Sequence, residues 1–262
     1  MSVILIDHQV VHYEVLGRGR PLIFLHGWVG SWRYWIPAMQ AASVAYRAYA
    51  LDFWGYGETA KYQPNYTLNR QVDLIDIFLN EMGIGRVALA GHGLGAVVAI
   101  LYALRHPIIV DRVMAVGYPL AESCVNPRLQ ASTPAELAEW LLGHAPLTEP
   151  VLADAPKTDL QAITASLVGL SAAEAQDTLA RLATACLLVS GLNDQAVAPP
   201  DSAQVAMLPA SAHAIAFDQS GHFPMLDESS KFNRLLIDFL SLPSGDSPRE
   251  LQLKEEWKRR VR

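Results

Sequence analysis

The sequence predicts an α/β protein, with a mostly parallel sheet, helices on both faces and a helical cap laid over it. Three observations predict this. Short apolar runs alternate with longer segments of helical spacing, as parallel strands joined by helical crossovers require. The alternation stops between residues 121 and 182, where Ala, Pro and Leu abound without a convincing strand, and it resumes afterwards. A composition of 51% apolar and 18% charged residues supplies one large core and lies far from that of a disordered chain.

The elements follow in order. Residues 3–6 and 10–15 are expected as two strands that can pair as a hairpin at the sheet edge, and 22–25 as a compact apolar strand. A glycine-containing loop leads to a helix near 32–42, and residues 48–51 form a strand ending at Asp52. Leu68, Val72, Ile75, Leu79 and Met82 fall at helical spacing. The strand at 87–90 runs into Gly91, and 96–105 is apolar on nearly all sides, so that helix is expected to be buried until His106-Pro107 stops it. Further strands are expected at 112–116, 186–189 and 214–217, with a closing helix at 232–240. The organisation is therefore a core in two parts, 1–120 and 183–242, a helical cap insertion at 121–182, and a tail at 243–262. The tail has Leu253, Trp257 and Val261 on one helical seam, with i,i+4 charge pairs beside them. It reads first as a helix docked on its own domain, next as a homodimer contact, and last as a membrane-surface contact.

Composition narrows the function. The net charge of −6 argues against a nucleic-acid partner. No apolar stretch approaches the length of a membrane span, and the N-terminus lacks the basic and small-residue features of a signal peptide. Cys124 and Cys186 have no metal-ligand spacing, so a reduced, cytoplasmic location is expected. No metal or organic cofactor is implied. GHGLG at 91–95 does not fit G-x-G-x-x-G, and no phosphate-binding lysine follows it.

Five segments carry chemistry. They are FLHGW at 24–28, DFWGYGET at 52–59, AGHGLGA at 90–96, VSGLNDQAV at 189–197 and SGHFPML at 220–226. In this order they resemble the α/β-hydrolase superfamily over nearly the whole chain. AGHGLGA is similar to its G-x-S-x-G nucleophile elbow, a strained strand-to-helix turn. The resemblance implies an α/β-hydrolase fold, with His222 as general base and Asp194 fixing its tautomer. It also implies that the amides of Trp28 and Leu94 form an oxyanion hole. Aligning Gly91 and Gly95 to the elbow glycines puts Gly93 in the serine position, and a hydrogen atom cannot attack a carbonyl. His92 stands where the family often has histidine and is expected to point away. Ser31, Ser123 and Cys124 have no activating context.

Each residue also has a purely structural reading. His26 suits a loop brace, and Asp52 suits holding its own turn. His222 and Asp194 suit an inherited pair that only bind each other, and His144 and His213 suit the surface or the cap. His26, Trp32, Tyr118, Trp140 and Phe223 are expected to line an apolar pocket, with some aromatic residues serving as ordinary core. The expected function is an enzyme acting on a small apolar ester or carbonyl compound by a non-covalent His-Asp general-base mechanism, through activated water or substrate proton transfer. Water is expected in the room left by the absent serine side chain. The alternatives are a catalytically degenerate protein that binds an apolar ligand, and an active serine hydrolase carrying an engineered serine-to-glycine change at 93.

Overall fold

The structure, a computed structural model, describes residues 2–142, 148–171 and 175–251. Its sheet has eight strands: β1 (Ser2–Ile6), β2 (Gln9–Leu16), β3 (Arg20–Leu25), β4 (Tyr46–Leu51), β5 (Val87–His92), β6 (Val110–Val116), β7 (Ala185–Gly191) and β8 (Ala212–Phe217). They lie in the order β1-β2-β4-β3-β5-β6-β7-β8. β2 runs antiparallel to both of its neighbours, and every other adjacent pair is parallel. The edge hairpin turns through Asp7 and His8, both at positive φ (50° and 63°), as a tight hairpin of this twist requires.

Central strands are apolar throughout because both of their faces are covered. Leu22 to Leu25 and the whole of β5 are buried, whereas β1 at the edge alternates. The covering helices include α1 (Ile36–Ala42), α2 (Leu68–Glu81) and α3 (Leu94–Arg105). Thr67 caps α2 by accepting from the Arg70 amide, and α3 is buried on almost every side before His106 ends it. β5 runs two residues further than expected, to His92, and α3 starts two earlier, at Leu94, so a single residue joins them.

Between β6 and β7 the chain forms α4 (Arg128–Ala131), α5 (Pro134–Leu142), α6 (Glu149–Asp154), α7 (Leu160–Ser171) and α8 (Ala175–Ala180). Buried Asp154 at the end of α6 binds the Ser31 hydroxyl and the Arg33 guanidinium, joining this segment to the loop after β3. After β7 come α9 (Ser202–Ala206), α10 (Pro224–Asp227) and α11 (Ser229–Ser241), the last packed against α1. The tail is followed as far as Leu251 and makes one 3₁₀ turn, Pro248–Glu250. Arg249 anchors it on the carbonyls of Leu208, Pro209 and Ala212. The expected tail helix with Leu253, Trp257 and Val261 lies outside the described residues, as does His144. Among the described residues no helix is long and apolar enough to cross a membrane.

Strand order reverses at β3, with β4 on one side and β5 on the other. In open α/β sheets such a switch point leaves a crevice beyond the carboxyl ends of the strands. The loops carrying residues 26–28 and 93 leave from those ends.

Candidate active site

Gly93 is the one residue between β5 and α3, at φ 51° and ψ −111°. That backbone is uncomfortable for any residue with a Cβ. The flanking glycines are demanded by contact. A Cβ on Gly91 would run into the Gly95 carbonyl, and one on Gly95 into the Leu25 carbonyl. Backbone bonds complete the turn, from the Gly93 amide to the Val116 carbonyl at 2.8 Å and from the Gly95 amide to the His26 carbonyl at 3.0 Å.

The amides of Trp28 and Leu94 are buried, and neither donates to a group among the described residues. Leu94 opens α3, where first-turn N–H groups have no intrahelical acceptor and the dipole favours negative charge. The Trp28 side chain stands close to where a side chain at 93 would begin. A Cβ there would stand 3.0 Å from Cε3 and 3.1 Å from Cζ3 of the indole. The benzo edge of Trp28 therefore borders the space over Gly93 in which the sequence reading expects water.

Asp194 follows β7 and His222 follows β8, and the two meet. His222 Nδ1–H donates to Asp194 Oδ2 at 2.9 Å and Oδ1 at 3.1 Å, with both side chains 1% exposed. The amides of Ala196 and Val197 hold Asp194 Oδ1 at 2.8 and 3.0 Å. With Nδ1 as the donor, Nε2 is the basic nitrogen. Gly117 lies beneath the pair, since a Cβ on it would stand 3.6 Å from His222 Cε1 and 3.7 Å from Asp194 Oδ2.

His92 has a structural task that the sequence did not disclose. Its Nε2–H donates to the His222 carbonyl at 2.8 Å, and its Nδ1 accepts from the Tyr34 hydroxyl at 3.0 Å. The Tyr34 oxygen in turn accepts the Gly27 amide. Burial, helped by the neighbouring His222, holds the His92 imidazole well below its ordinary pKa, so it is neutral. Phe223, expected to line a pocket, packs against His92, Tyr34 and His222, with ring centroids 4.9, 5.5 and 5.1 Å away.

His26 braces its loop. Its Nδ1–H donates to the Gly27 carbonyl at 2.8 Å, and its Nε2 accepts the Phe53 amide at 3.0 Å. It is fully buried, with both nitrogens occupied. Asp52 accepts from the amides of Trp32 and Glu58 and from His12 Nδ1, which hold its carboxyl below the usual range although burial alone would raise it. Trp32 sits with that turn, its ring 5.8 Å from His12. Trp140 is half-buried, donates to Gln195 Oε1 at 2.7 Å and lies under the Arg128 guanidinium. Tyr118 is buried, which raises its phenol pKa.

A cavity of about 430 Å³ opens between the segment after β6 and α7, lined by Glu122, Ser123, Val125, Asn126, Gln130 and Leu167 among others. Its wall is tied to the Asp194 loop by the Val125–Val197 bridge. Another, of about 220 Å³, lies at the opposite ends of the strands among Arg20, Arg86, Asp111 and Arg112, away from these groups. Among the described residues no cluster of His, Cys, Asp or Glu could hold a metal ion.

Sequence and structure comparisons agree with this architecture. RutD of Yersinia enterocolitica, which carries the name of a carbamate hydrolase, is 26% identical over 270 residues, covering 94% of this chain and 97% of RutD. A pimeloyl-[acyl-carrier protein] methyl ester esterase of Vibrio cholerae is 23% identical, covering 88% of this chain and 98% of the esterase. The crystal structure of an enol-lactonase from Burkholderia xenovorans LB400 superposes with a TM-score of 0.81 at 18% identity, covering 92% of this chain and 100% of that one, a likeness of fold. The family model described as "Alpha/beta hydrolase family" matches residues 22–235, and the chain belongs to that family.

Proposed function

We propose that the protein is a hydrolase-type enzyme acting on a small apolar ester, carbamate or related carbonyl compound, without a covalent intermediate. One observation carries the reading. His222 Nδ1 is held by both oxygens of Asp194, at 2.9 and 3.1 Å, in a site whose elbow residue, Gly93, has no side chain to attack with. In this reading His222 Nε2 takes a proton from water as the oxygen attacks the acyl carbon. Asp194 stabilises the imidazolium, and the amides of Trp28 and Leu94 receive the oxyanion. Collapse expels the leaving group, which takes up the proton that His222 removed from water, returning the imidazole to its neutral form. The same base serves substrates that react by losing a proton. Residues 121–182 act as a cap over the site. The names of RutD and the Vibrio esterase, one a carbamate hydrolase and one a methyl ester esterase, support an acyl compound as the substrate.

The test is steady-state hydrolysis of p-nitrophenyl acetate and a p-nitrophenyl carbamate. His222→Ala should lower turnover by about 10²–10⁴-fold, the usual worth of a positioned general base. Pre-steady-state traces should show no burst, and hydroxylamine should trap no acyl-enzyme. Turnover unchanged in His222→Ala overturns the reading. The indole against Gly93 favours a second reading, a pocket that binds an apolar acyl compound and leaves it unchanged. Recovery of the ligand intact after prolonged incubation with tight binding selects that one.

A further inference from the structure

We propose that Trp28 is a specificity-determining residue whose indole sets the steric limit over the elbow, so that residues 28 and 93 form a coupled pair. A Cβ on Gly93 meets the benzo edge of Trp28 at 3.0 and 3.1 Å, and its next neighbour is Gly27 Cα at 3.5 Å. Carbon atoms in good contact stand about 3.5–4.0 Å apart, so a side chain at 93 requires the ring to yield. The ring is poorly placed to yield. It is 1% exposed, and its Nε1–H donates to Ser166 Oγ at 3.1 Å. The Ser166 hydroxyl donates in turn to the Ile163 carbonyl at 2.8 Å within α7. The indole is thus pinned at its pyrrole end by the helical segment between β6 and β7, and presents its other edge to the elbow.

Two consequences follow. Glycine at 93 relieves backbone strain and also admits Trp28. Whatever reaches the Trp28 and Leu94 amides must pass the indole edge, which favours small groups on the reacting carbon. This second consequence rests on the proposed hydrolase reading, whereas the coupling of 28 and 93 does not.

A double-mutant cycle on the full chain separates them. Gly93→Ser pays the same backbone strain in any background, so a difference between backgrounds isolates the contact with residue 28. In urea melts, Gly93→Ser should lower the folding equilibrium constant at least tenfold more with Trp28 present than in the Trp28→Phe background. Phenylalanine lacks both the fused ring and the Nε1 donor. Should Trp28→Phe not fold, Ser166→Ala replaces it, because unpinning the ring should also lessen the cost of Gly93→Ser. Equal costs, within about twofold, in the two backgrounds overturn the coupling. The same variants are then treated with phenylmethylsulfonyl fluoride. The double variant should label at position 93 at least tenfold faster than Gly93→Ser alone, and equal labelling rates overturn the steric limit. Coupling in the melts with no labelling of either variant leaves the 28–93 pair standing and counts against His222 as an activating base.

Discussion

Replacing His92 by phenylalanine keeps a ring at the end of β5 and removes two buried hydrogen bonds. The ring packs against His222, Phe223 and Tyr34, with centroids 4.4, 4.9 and 5.6 Å away, and phenylalanine fills nearly the same volume. What it cannot do is donate to the His222 carbonyl, 2.8 Å away, or accept from the Tyr34 hydroxyl, 3.0 Å away. A buried group left without its partner costs about 1–3 kcal/mol, so the two together cost roughly 2–6 kcal/mol. A domain has on the order of 5–15 kcal/mol in hand, so the variant should fold with a visibly lower urea midpoint. The acid limb supplies a second reading. Burial holds both His92 and His26 below the ordinary histidine value of about 6.5, so each contributes stability that is present above that pH and is lost as pH falls toward its lowered value. One such group contributes a slope of up to about 1.4 kcal/mol per pH unit, and His92→Phe should remove its share. Urea melts at pH 8 and at half-unit steps below 6.5 measure both effects. A loss under about 0.5 kcal/mol at pH 8, or an acid slope equal to that of the unmodified protein, refutes the argument that His92 ties the site together.

Two other outcomes are expected. Burial would lower the His12 pKa, but the Asp52 hydrogen bond and charge, with Glu14, raise it above the ordinary value. Its contribution is therefore complete below about pH 6.5 and is lost as pH rises through the raised value, so stability should decline above 6.5 in the unmodified protein and stay flatter in His12→Gln. Cys186 is buried and its thiol is pushed up to about 12, while Cys124 is partly exposed. Ellman's reagent should find one reactive thiol in the native protein and two after unfolding, and two fast thiols in the native state would contradict the placement of Cys186.

What the sequence made legible was local. The apolar runs of β3 and β5 and the helical spacing of α2 are written in consecutive residues, and so is the bracing of the 52–59 turn by Asp52. The family resemblance drew His222 and Asp194 together across 28 residues because both sit in recognisable loops. Long-range side-chain geometry had no such signature. Nothing in SWRYW marks Tyr34 as the partner of His92, 58 positions later. Nothing in the insertion marks Ser166 as the acceptor for Trp28, 138 positions earlier. A tryptophan or histidine in an apolar segment signals burial, and what it contacts is decided by neighbours far away in sequence, as with His26, which accepts the Phe53 amide, and Trp140, which donates to Gln195.

The two halves of the site, the turn at Gly93 and the His222–Asp194 pair, are built independently. The elbow is shaped by glycine–backbone contacts at 91 and 95 and by amide bonds to Val116 and His26. None of these involves a side chain at 93. Glycine also adopts φ 51° with less strain than serine, so a serine there works against the turn. The His222–Asp194 pair is held by the Ala196 and Val197 amides, by His92 on the His222 carbonyl and by close packing over Gly117. None of these depends on residue 93 either. A change of side chain at 93 therefore leaves the bonds that hold His222 and Asp194 in place. The Trp28 indole is the element that does respond to that change, because two of its ring carbons stand 3.0 and 3.1 Å from where a side chain at 93 would begin. The position of that ring is set in turn by Ser166, whose Oγ accepts its Nε1–H at 3.1 Å, so the response to a side chain at 93 is governed from the segment between β6 and β7.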